Sequence, residues 1–409
     1  MKNYLAFLLL ILTAHTAMNQ SLDDYLEVAL QNNPDLKAAY FSFEAQLEKV
    51  EQVKFLANPI LGFGYFISPI ETRIGSQQTK ISLSQMFPWF GTLSAKQDVA
   101  SLMAAAQFEQ FRNKQALLAF EVKTAYYNYL EALELLEIHR QNLSIMKSHK
   151  NMVKIAYSND KSKNTEVLDA NLILAEITSN IDILDQRLGL LKRSFNRLLN
   201  RPDSLGIVGT QWVTPTDFEI NKDPDSLLAH HPKMAALEQQ MAATIIEENV
   251  ARKNGRPQIG VGIDYVIIQP LDGSTVKNNG KDALMPMVSL SLPIFRKKYQ
   301  SQTREIQLYQ KQLAAQKTQL QNTLAIEWAT AQNQLFESLA QYDLDEKRIQ
   351  NAHQEITFAF SDFTVDNGNF KNILEAQKNL LKFKLSQVTW KRNYAEALAK
   401  MTYLISKEL

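Results

Sequence analysis

The ten residues Ile81–Phe90, ISLSQMFPWF, occur a second time in shortened form as Val288–Phe295, VSLSLPIF. In both copies apolar residues alternate with serine, and a proline follows. This is the pattern of a strand that ends at a chain break before the next element. The proline and the last phenylalanine of one copy are each separated from their counterparts by 205 residues. The pair therefore indicates that a larger unit is repeated.

The duplication extends well beyond these two segments. Matching residues follow in the same order, at offsets between 198 and 207, from Asn33 to Ala170 of the first copy, which chance explains poorly. The matched pairs include Asn33-Pro34 with His231-Pro232, Gly62 with Gly260, Gly64 with Gly262, Glu121 with Glu327, and Leu168-Asp169-Ala170 with Leu374-Glu375-Ala376. The offset changes mainly at the polar, glycine-containing segment 269–282, which we interpret as a longer loop in the second copy.

Each copy is predicted to form a helix, two short strands, a long helix, a turn and another helix. Proline marks several boundaries because it lacks the backbone N–H that helices and sheets use. The predicted elements of the first copy are helix 21–56, strands 60–68 and 78–87, helix 93–157, turn 158–164 and helix 165–200. The second copy repeats this order between Asp225 and Ser406.

The predicted domain organisation is a signal peptide, two repeats and a linker. The ranges are signal peptide 1–19, first repeat 20–200 with a β-hairpin at 59–88 and a tip at 158–164, linker or equatorial segment 201–223, and second repeat 224–409 with a β-hairpin at 257–293 and a tip at 364–370. Tyr4–Leu12 is an apolar run of nine residues after a basic start, too short to span a bilayer as a helix. Export is therefore predicted, with an ordinary buried N-terminal helix as the alternative.

The long helix predicted at 93–157 contains no proline or glycine and would extend roughly 97 Å at 1.5 Å per residue. Positions spaced alternately by four and three residues predict left-handed supercoiling against a neighbouring helix. These positions are Leu118, Val122, Ala125, Tyr129, Ala132, Leu136, His139, Leu143, Met146, Lys150 and Val153. A second apolar stripe favours a closed ring of helices. The wide core face of a four-helix bundle is the simpler alternative.

Both strand pairs have one apolar face and one small or polar face. In the first strand, Leu61, Phe63 and Tyr65 alternate with Gly62 and Gly64. Strands of about ten residues cross a bilayer when tilted, so we predict a lipid-facing apolar side and a wet lumen on the other. The predicted lumen residues are Lys80, Ser82, Ser84, Asp264, Ser289 and Ser291. A soluble sandwich with the apolar side inward is the alternative.

The membrane prediction requires more than one chain. Four strands cannot close a water-filled barrel, and lipid does not tolerate open sheet edges. Three chains would contribute twelve strands, which lies within the range of known barrels.

Composition and motifs argue against several other classes of protein. The net charge of +1 gives no support for nucleic-acid binding, and the absence of cysteine removes disulfides and thiolate metal sites. No phosphate loop, metalloprotease motif or nucleophile elbow is present, so we predict neither an enzyme nor a cofactor or metal site. His139 is predicted to be a hydrogen-bonded interface residue rather than a metal ligand or pH switch, and His230-His231 a turn near a helix. An exported periplasmic adaptor and a coiled-coil scaffold remain alternatives.

The chain resembles the TolC-like outer-membrane efflux protein family over essentially its whole mature length. The resemblance rests on the duplicated order of elements, on the junction Ser82–Gly91, and on the motifs Val167–Ala170 and Ile373–Ala376. The junction is most similar to that of members in the heavy-metal efflux branch.

This resemblance implies a fold that is mainly α with membrane β. Three chains, each with four strands and the duplicated helix–strand–strand–long helix–helix unit, would form a twelve-stranded outer-membrane β-barrel that continues into a long periplasmic α-helical barrel. The implied function is a passive exit duct for small molecules or metal ions in a tripartite efflux or type I secretion system. The implied partners of the homotrimer are a periplasmic membrane-fusion adaptor, an inner-membrane pump of the resistance-nodulation-division or ABC type, and outer-membrane lipid.

The resemblance also implies roles for residues at the periplasmic tips. Adaptor contacts are expected at Asn159, Asp160, Lys161, Asp366, Asn367 and Gly368. A cation-favouring gate is expected at Glu166, Asp169, Asn372 and Glu375. Asn372 departs from the acidic pattern of the family. The acids in the first copy also have a simpler explanation, because carboxylates are favoured in the first turn of any helix.

Overall fold

The computed structural model describes residues 21–159, 163–209, 211–215, 224–365 and 370–405, so the predicted signal peptide lies outside the described residues. The elements in chain order are α1 (Leu22–Asn32), α2 (Pro34–Gln52), β1 (Ile60–Thr72), β2 (Gly75–Phe87), α3 (Thr92–Ser158), α4 (Asn164–Leu198), α5 (Pro224–Leu228), α6 (Pro232–Asn254), β3 (Gln258–Gln269), β4 (Ala283–Ser291), α7 (Arg296–Thr364) and α8 (Phe370–Leu404). The series α2, β1, β2, α3 and α4 recurs as α6, β3, β4, α7 and α8. The predicted duplication of the fold is confirmed.

The single helix predicted at 21–56 is wrong, because the chain forms two helices separated at Asn33. This residue precedes a proline and is therefore held in an extended conformation, with φ −61° and ψ 124°. Its side-chain Oδ1 accepts hydrogen bonds from the backbone N–H groups of Asp35 and Leu36, at 3.0 and 3.1 Å. Asn33 thus ends α1 and caps the start of α2.

The four strands form one antiparallel sheet in the order β1-β2-β3-β4. Each repeat contributes a hairpin, and β2 pairs with β3 to join the hairpins, with Leu83 opposite Ile263. The strands β1 and β4 are the two edges. The segment 270–282 connects β3 to β4, as predicted for the longer loop of the second copy.

The chain forms two compact units. The first unit comprises residues 1–38, 112–231 and 321–409, and helices make up most of its described part. All eleven positions of the predicted supercoil series are buried or half-buried, so the predicted packing face of α3 is confirmed. The Tyr25 hydroxyl donates to the Val208 carbonyl at 2.9 Å and accepts from the Val208 N–H at 2.7 Å, which attaches the linker to α1.

The second unit comprises residues 39–111 and 232–320 and contains the sheet and the helical segments that flank it. Its exposed apolar residues are concentrated on the strands. Within the described residues, no helix has an apolar stretch long enough to cross a membrane.

Candidate functional site

Glycine, serine and a charged pair lie together on one face of the sheet, which also carries Met86, Met285 and Met287. Register places Gly62 and Asp264 on either side of Ser82, and Ser289 opposite Gly260. A Cβ at position 62 would lie 2.4 Å from Ser82 Oγ, and one at position 260 would lie 2.2 Å from Ser289 Oγ. A larger residue at either position would therefore force the neighbouring serine side chain to move. All six predicted lumen residues share this face, with Ser291 at the end of β4 opposite Gln258; the other five are Lys80, Ser82, Ser84, Asp264 and Ser289.

The charged pair joins the two repeats. Lys80 Nζ on β2 lies 2.5 Å from Asp264 Oδ2 on β3. The Asp264 side chain is 0% exposed and the Lys80 side chain is 38% exposed. Among the described residues, neither oxygen of Asp264 has a hydrogen-bond partner, so the ammonium group is the compensation for burying this carboxylate. The sequence placed both residues on one face, but it did not reveal that they pair.

The opposite face of the sheet is apolar and open to the surroundings. Register aligns Leu61 with Leu83 and Phe63 with Ile81 across the first hairpin, and Val261 with Val288 across the second. The side chain of Phe63 is 75% exposed and that of Ile67 is 93% exposed. A continuous apolar surface of this kind marks contact with a membrane or another protein.

The structure describes only one of the six predicted tip residues. Asn159 is exposed at the end of α3, where its Nδ2 donates to the Ile155 carbonyl at 2.9 Å and its backbone N–H donates to the Ala156 carbonyl at 3.1 Å. The other predicted tip residues, Asp160, Lys161, Asp366, Asn367 and Gly368, lie outside the described residues.

The four predicted gate residues lie at the beginnings of α4 and α8. Glu166 is buried, whereas Asp169, Asn372 and Glu375 are exposed. Glu375 lies 3.8 Å from Lys371 Nζ, a distance that leaves only a weak ion pair at the surface. Neighbouring apolar residues of the two helix starts, Val167, Ile177, Phe370 and Ile373, meet in one hydrophobic cluster. The structure therefore brings the two gate segments together through apolar packing.

Sequence reasoning missed His149, which belongs to the same region. Its ring is buried and makes edge contacts with Phe360, at 5.4 Å between centroids, and with Phe370, at 6.2 Å. The described residues offer no hydrogen-bond partner to its Nδ1 atom. Burial among these rings lowers the pKa of His149 below its ordinary value. Position 149 lies outside the predicted seam, and only the packing of α7 and α8 against α3 reveals its environment.

We expect His149 to make this cluster sensitive to acid. Because the pKa of His149 is lowered in the folded protein, the neutral ring stabilises the fold. This contribution to the free energy of unfolding is fully present above the ordinary pKa of about 6.5 and is lost as the pH falls below that value. His149→Leu should therefore reduce the fall in thermal unfolding temperature between neutral pH and about pH 5. Far-UV circular dichroism of the purified protein measures this. The exposed His230→Gln variant is the control, and a pH dependence equal to that of the wild type in His149→Leu would contradict the assignment.

Two further histidines, His139 and His231, are also buried. His139 is buried, as predicted for an interface residue, but the expected hydrogen bond at Nδ1 is absent among the described residues. Burial lowers the pKa of His139, and Glu176 partly opposes this shift. His231 is fully buried, with its ring 5.4 Å from that of Tyr403. No group of three or more potential metal-ligating side chains is found in the described part of the chain.

Comparison with solved structures defines the class of fold. The chain is 16% identical to CusC, whose structures are described in terms of transmembrane channel formation, with 95% of this chain and 92% of that chain aligned at a TM-score of 0.81. It is 16% identical to VceC from Vibrio cholerae, with coverage of 94% and 95% and a TM-score of 0.76. It is also 16% identical to the MtrE outer membrane channel of Neisseria gonorrhoeae, with coverage of 94% and 88% and a TM-score of 0.76. The fold is that of the outer-membrane channel proteins.

Sequence comparison supplies the family. Residues 25–181, which lie within the first repeat, match the family model described as outer membrane efflux protein. No curated protein matches the chain significantly. The predicted resemblance to the TolC-like outer-membrane efflux proteins is therefore confirmed over this part of the first repeat, and the fold over nearly the whole chain. This is a family of channels and efflux proteins rather than of enzymes.

Proposed function

We propose that the protein is the outer-membrane channel subunit of a tripartite efflux or type I secretion system. The observation that carries this proposal is the two-faced sheet, which has an exposed apolar side and a side of glycine, serine and paired charge. The apolar side contacts lipid, and the polar side lines a water-filled lumen. The chain acts as a passive duct in the outer membrane, with its long helices in the periplasm. Its cargo is small molecules or metal ions delivered by a pump.

The channel is a homotrimer. The edges β1 and β4 expose backbone N–H and C=O groups that lipid cannot satisfy, so each edge pairs with the edge of another chain. Three chains then close a barrel of twelve strands. An exported adaptor or soluble scaffold would have no use for the exposed apolar side, which makes both alternatives weaker.

The ends of the helical hairpins meet the periplasmic adaptor, which in turn connects the channel to an inner-membrane pump. The segments 158–164 and 364–370 form these tips, and the acids that follow them form the gate. Signal peptide 1–19 directs export before assembly. Support for this arrangement comes from the shared fold and from the packing of the α4 and α8 starts into one cluster.

Planar-bilayer recording tests the function directly. The purified protein should insert and produce discrete, water-filled conductance steps with a preference for cations. Protein that remains in solution and leaves the bilayer resistance unchanged would contradict the proposal.

The same recording tests the gate. Glu166→Ala with Asp169→Ala removes two acids per chain, and we expect a severalfold change in conductance together with a weaker cation preference, because a ring of carboxylates concentrates cations. The matched control is Asp182→Ala with Asp185→Ala, which removes two acids further along the same helix. Equal conductance and selectivity in wild type and the gate variant would show that these acids serve only to start the helix.

A further inference from the structure

Positive charge is concentrated at the end of the sheet where the strands meet the helices. Phe87 lies opposite Ile259, and Gln258 lies opposite Ser291, so the end of β2, the start of β3 and the end of β4 lie together at this helix-side end. The segments that flank the helix-side end are 53–59, 88–91, 252–257 and 292–298. Together they contain seven lysines and arginines and no acidic residue. We call these four segments the basic junction.

Some of this charge is accounted for within the chain. Lys54 pairs with Glu51, and Arg252 pairs with Glu248, each at 2.5 Å. Lys253 Nζ donates to the Gly91 carbonyl at 2.9 Å. The Arg256 guanidinium lies 5.3 Å from the centroid of the Trp89 ring. The last two contacts hold the start of β3 beside the end of β2, but neither cation has an anionic partner among the described residues.

Of the remaining three cations, Lys298 has its Nζ 5.9 Å from the centroid of the Tyr299 ring, a contact that supplies no anion. Arg296, Lys297 and Lys298 are consecutive and exposed in the first turn of α7. Cations are disfavoured there, because the positive end of the helix dipole lies at the N-terminus. None of the three has a carboxylate within ion-pair distance in the described parts of the chain. An external anion would compensate for this charge.

The basic junction adjoins the apolar side of the sheet through large apolar residues. Phe90, Ile294 and Phe295 are all strongly exposed, and Phe295 is 76% exposed. Aromatic residues are typical of the boundary between hydrocarbon and headgroups. The opposite end of the sheet differs, since the connections there, 73–74 and 270–282, hold three cations and two acids. The excess charge therefore follows the boundary on the helix side only.

We propose that the basic junction binds the phosphate groups of anionic phospholipids in the membrane leaflet that faces the helices. Arg296, Lys297 and Lys298 attract the phosphates. Lys253 and Arg256 extend the positive surface around the same end of the sheet. Lipid phosphates at the level of these cations would fix the depth at which the sheet sits. This inference rests on the proposed function, because it requires the apolar side of the sheet to lie in lipid.

Lipid retention by the purified protein tests the inference. The protein is equilibrated in detergent with equal amounts of phosphatidylglycerol and phosphatidylcholine, and the retained lipids are counted by native mass spectrometry. We expect at least tenfold enrichment of phosphatidylglycerol on the wild type, declining at high salt because the attraction is electrostatic. Arg296→Gln with Lys297→Gln and Lys298→Gln should remove most of the enrichment. Each lost cation should lower the enrichment roughly fivefold.

Two control variants separate charge from folding. Lys277→Gln with Lys281→Gln removes charge from the opposite end of the sheet and should retain the enrichment of phosphatidylglycerol. Arg296→Lys with Lys297→Arg and Lys298→Arg keeps the charge and should also retain it. Equal retention of the two lipids by the wild type, or an enrichment that high salt does not reduce, would overturn the inference even if every variant misfolded. A protein that inserts into bilayers but retains the two lipids equally contradicts only this inference. A protein that is soluble without detergent and inserts into bilayers of neither lipid contradicts the proposed function.

Discussion

Leu83→Arg is expected to prevent assembly of the channel in the outer membrane. Leu83 lies on the apolar side of β2, between Leu61 and Ile263 in the register. Arginine on a lipid-facing strand costs about 2–4 kcal/mol near the bilayer centre, and every subunit would bear that cost. The amount of assembled oligomer should therefore fall by at least about tenfold. Gel electrophoresis of unheated, detergent-extracted membranes measures this amount.

Ser84→Arg is the matched control, because it introduces the same residue one position further along the same strand. Ser84 lies on the small, polar side, opposite Gly262. The oligomer should persist, and its conductance should change because the new charge enters the lumen. If Leu83→Arg assembled as well as Ser84→Arg, the apolar side of the sheet would not face lipid.

Lys80→Met is expected to destabilise the assembled protein strongly. The substitution leaves the fully buried Asp264 without its cation, and removing one partner from a buried ion pair costs about 3–5 kcal/mol. The temperature at which the oligomer dissociates should fall by several degrees. Heating the extracted protein before electrophoresis provides the measurement.

The second substitution that completes this test is Asp264→Asn. Combined with Lys80→Met, it replaces the unpaired charge with a neutral amide and should recover much of the lost stability. Asp264→Asn alone should cost less than Lys80→Met alone, because Lys80 is partly exposed and can reach water. Additive losses in the double variant would show that the two groups do not act as a pair.

Much of the fold could be predicted from local patterns. The absence of proline and glycine from 93–157 predicted the extent of α3 to within one residue at each end, and the alternation of strand residues predicted which faces are apolar and polar. These features depend on neighbours in the sequence, so the sequence alone contains them. The helix break at Asn33 was missed because proline is tolerated in a first helical turn and the surrounding pattern is helical on both sides.

The missed parts of the site depend on contacts between distant residues. Lys80 and Asp264 are separated by more than 180 positions, and their pairing follows only from the junction of the two hairpins at β2 and β3. His149 likewise acquires its environment from Phe360 and Phe370 in the second repeat. An isolated histidine in a helical pattern carries no signal of that burial. The role of the tip residues remains a prediction.

The central claim is that three copies of this chain form one membrane channel. The most direct test is the absolute mass of the protein extracted from outer membranes, determined by light scattering with the detergent contribution subtracted. We expect three chains per particle and no extraction without detergent. A monomer or dimer released without detergent would contradict the trimeric channel, because the edge strands and the apolar side of the sheet would then not belong to a closed barrel.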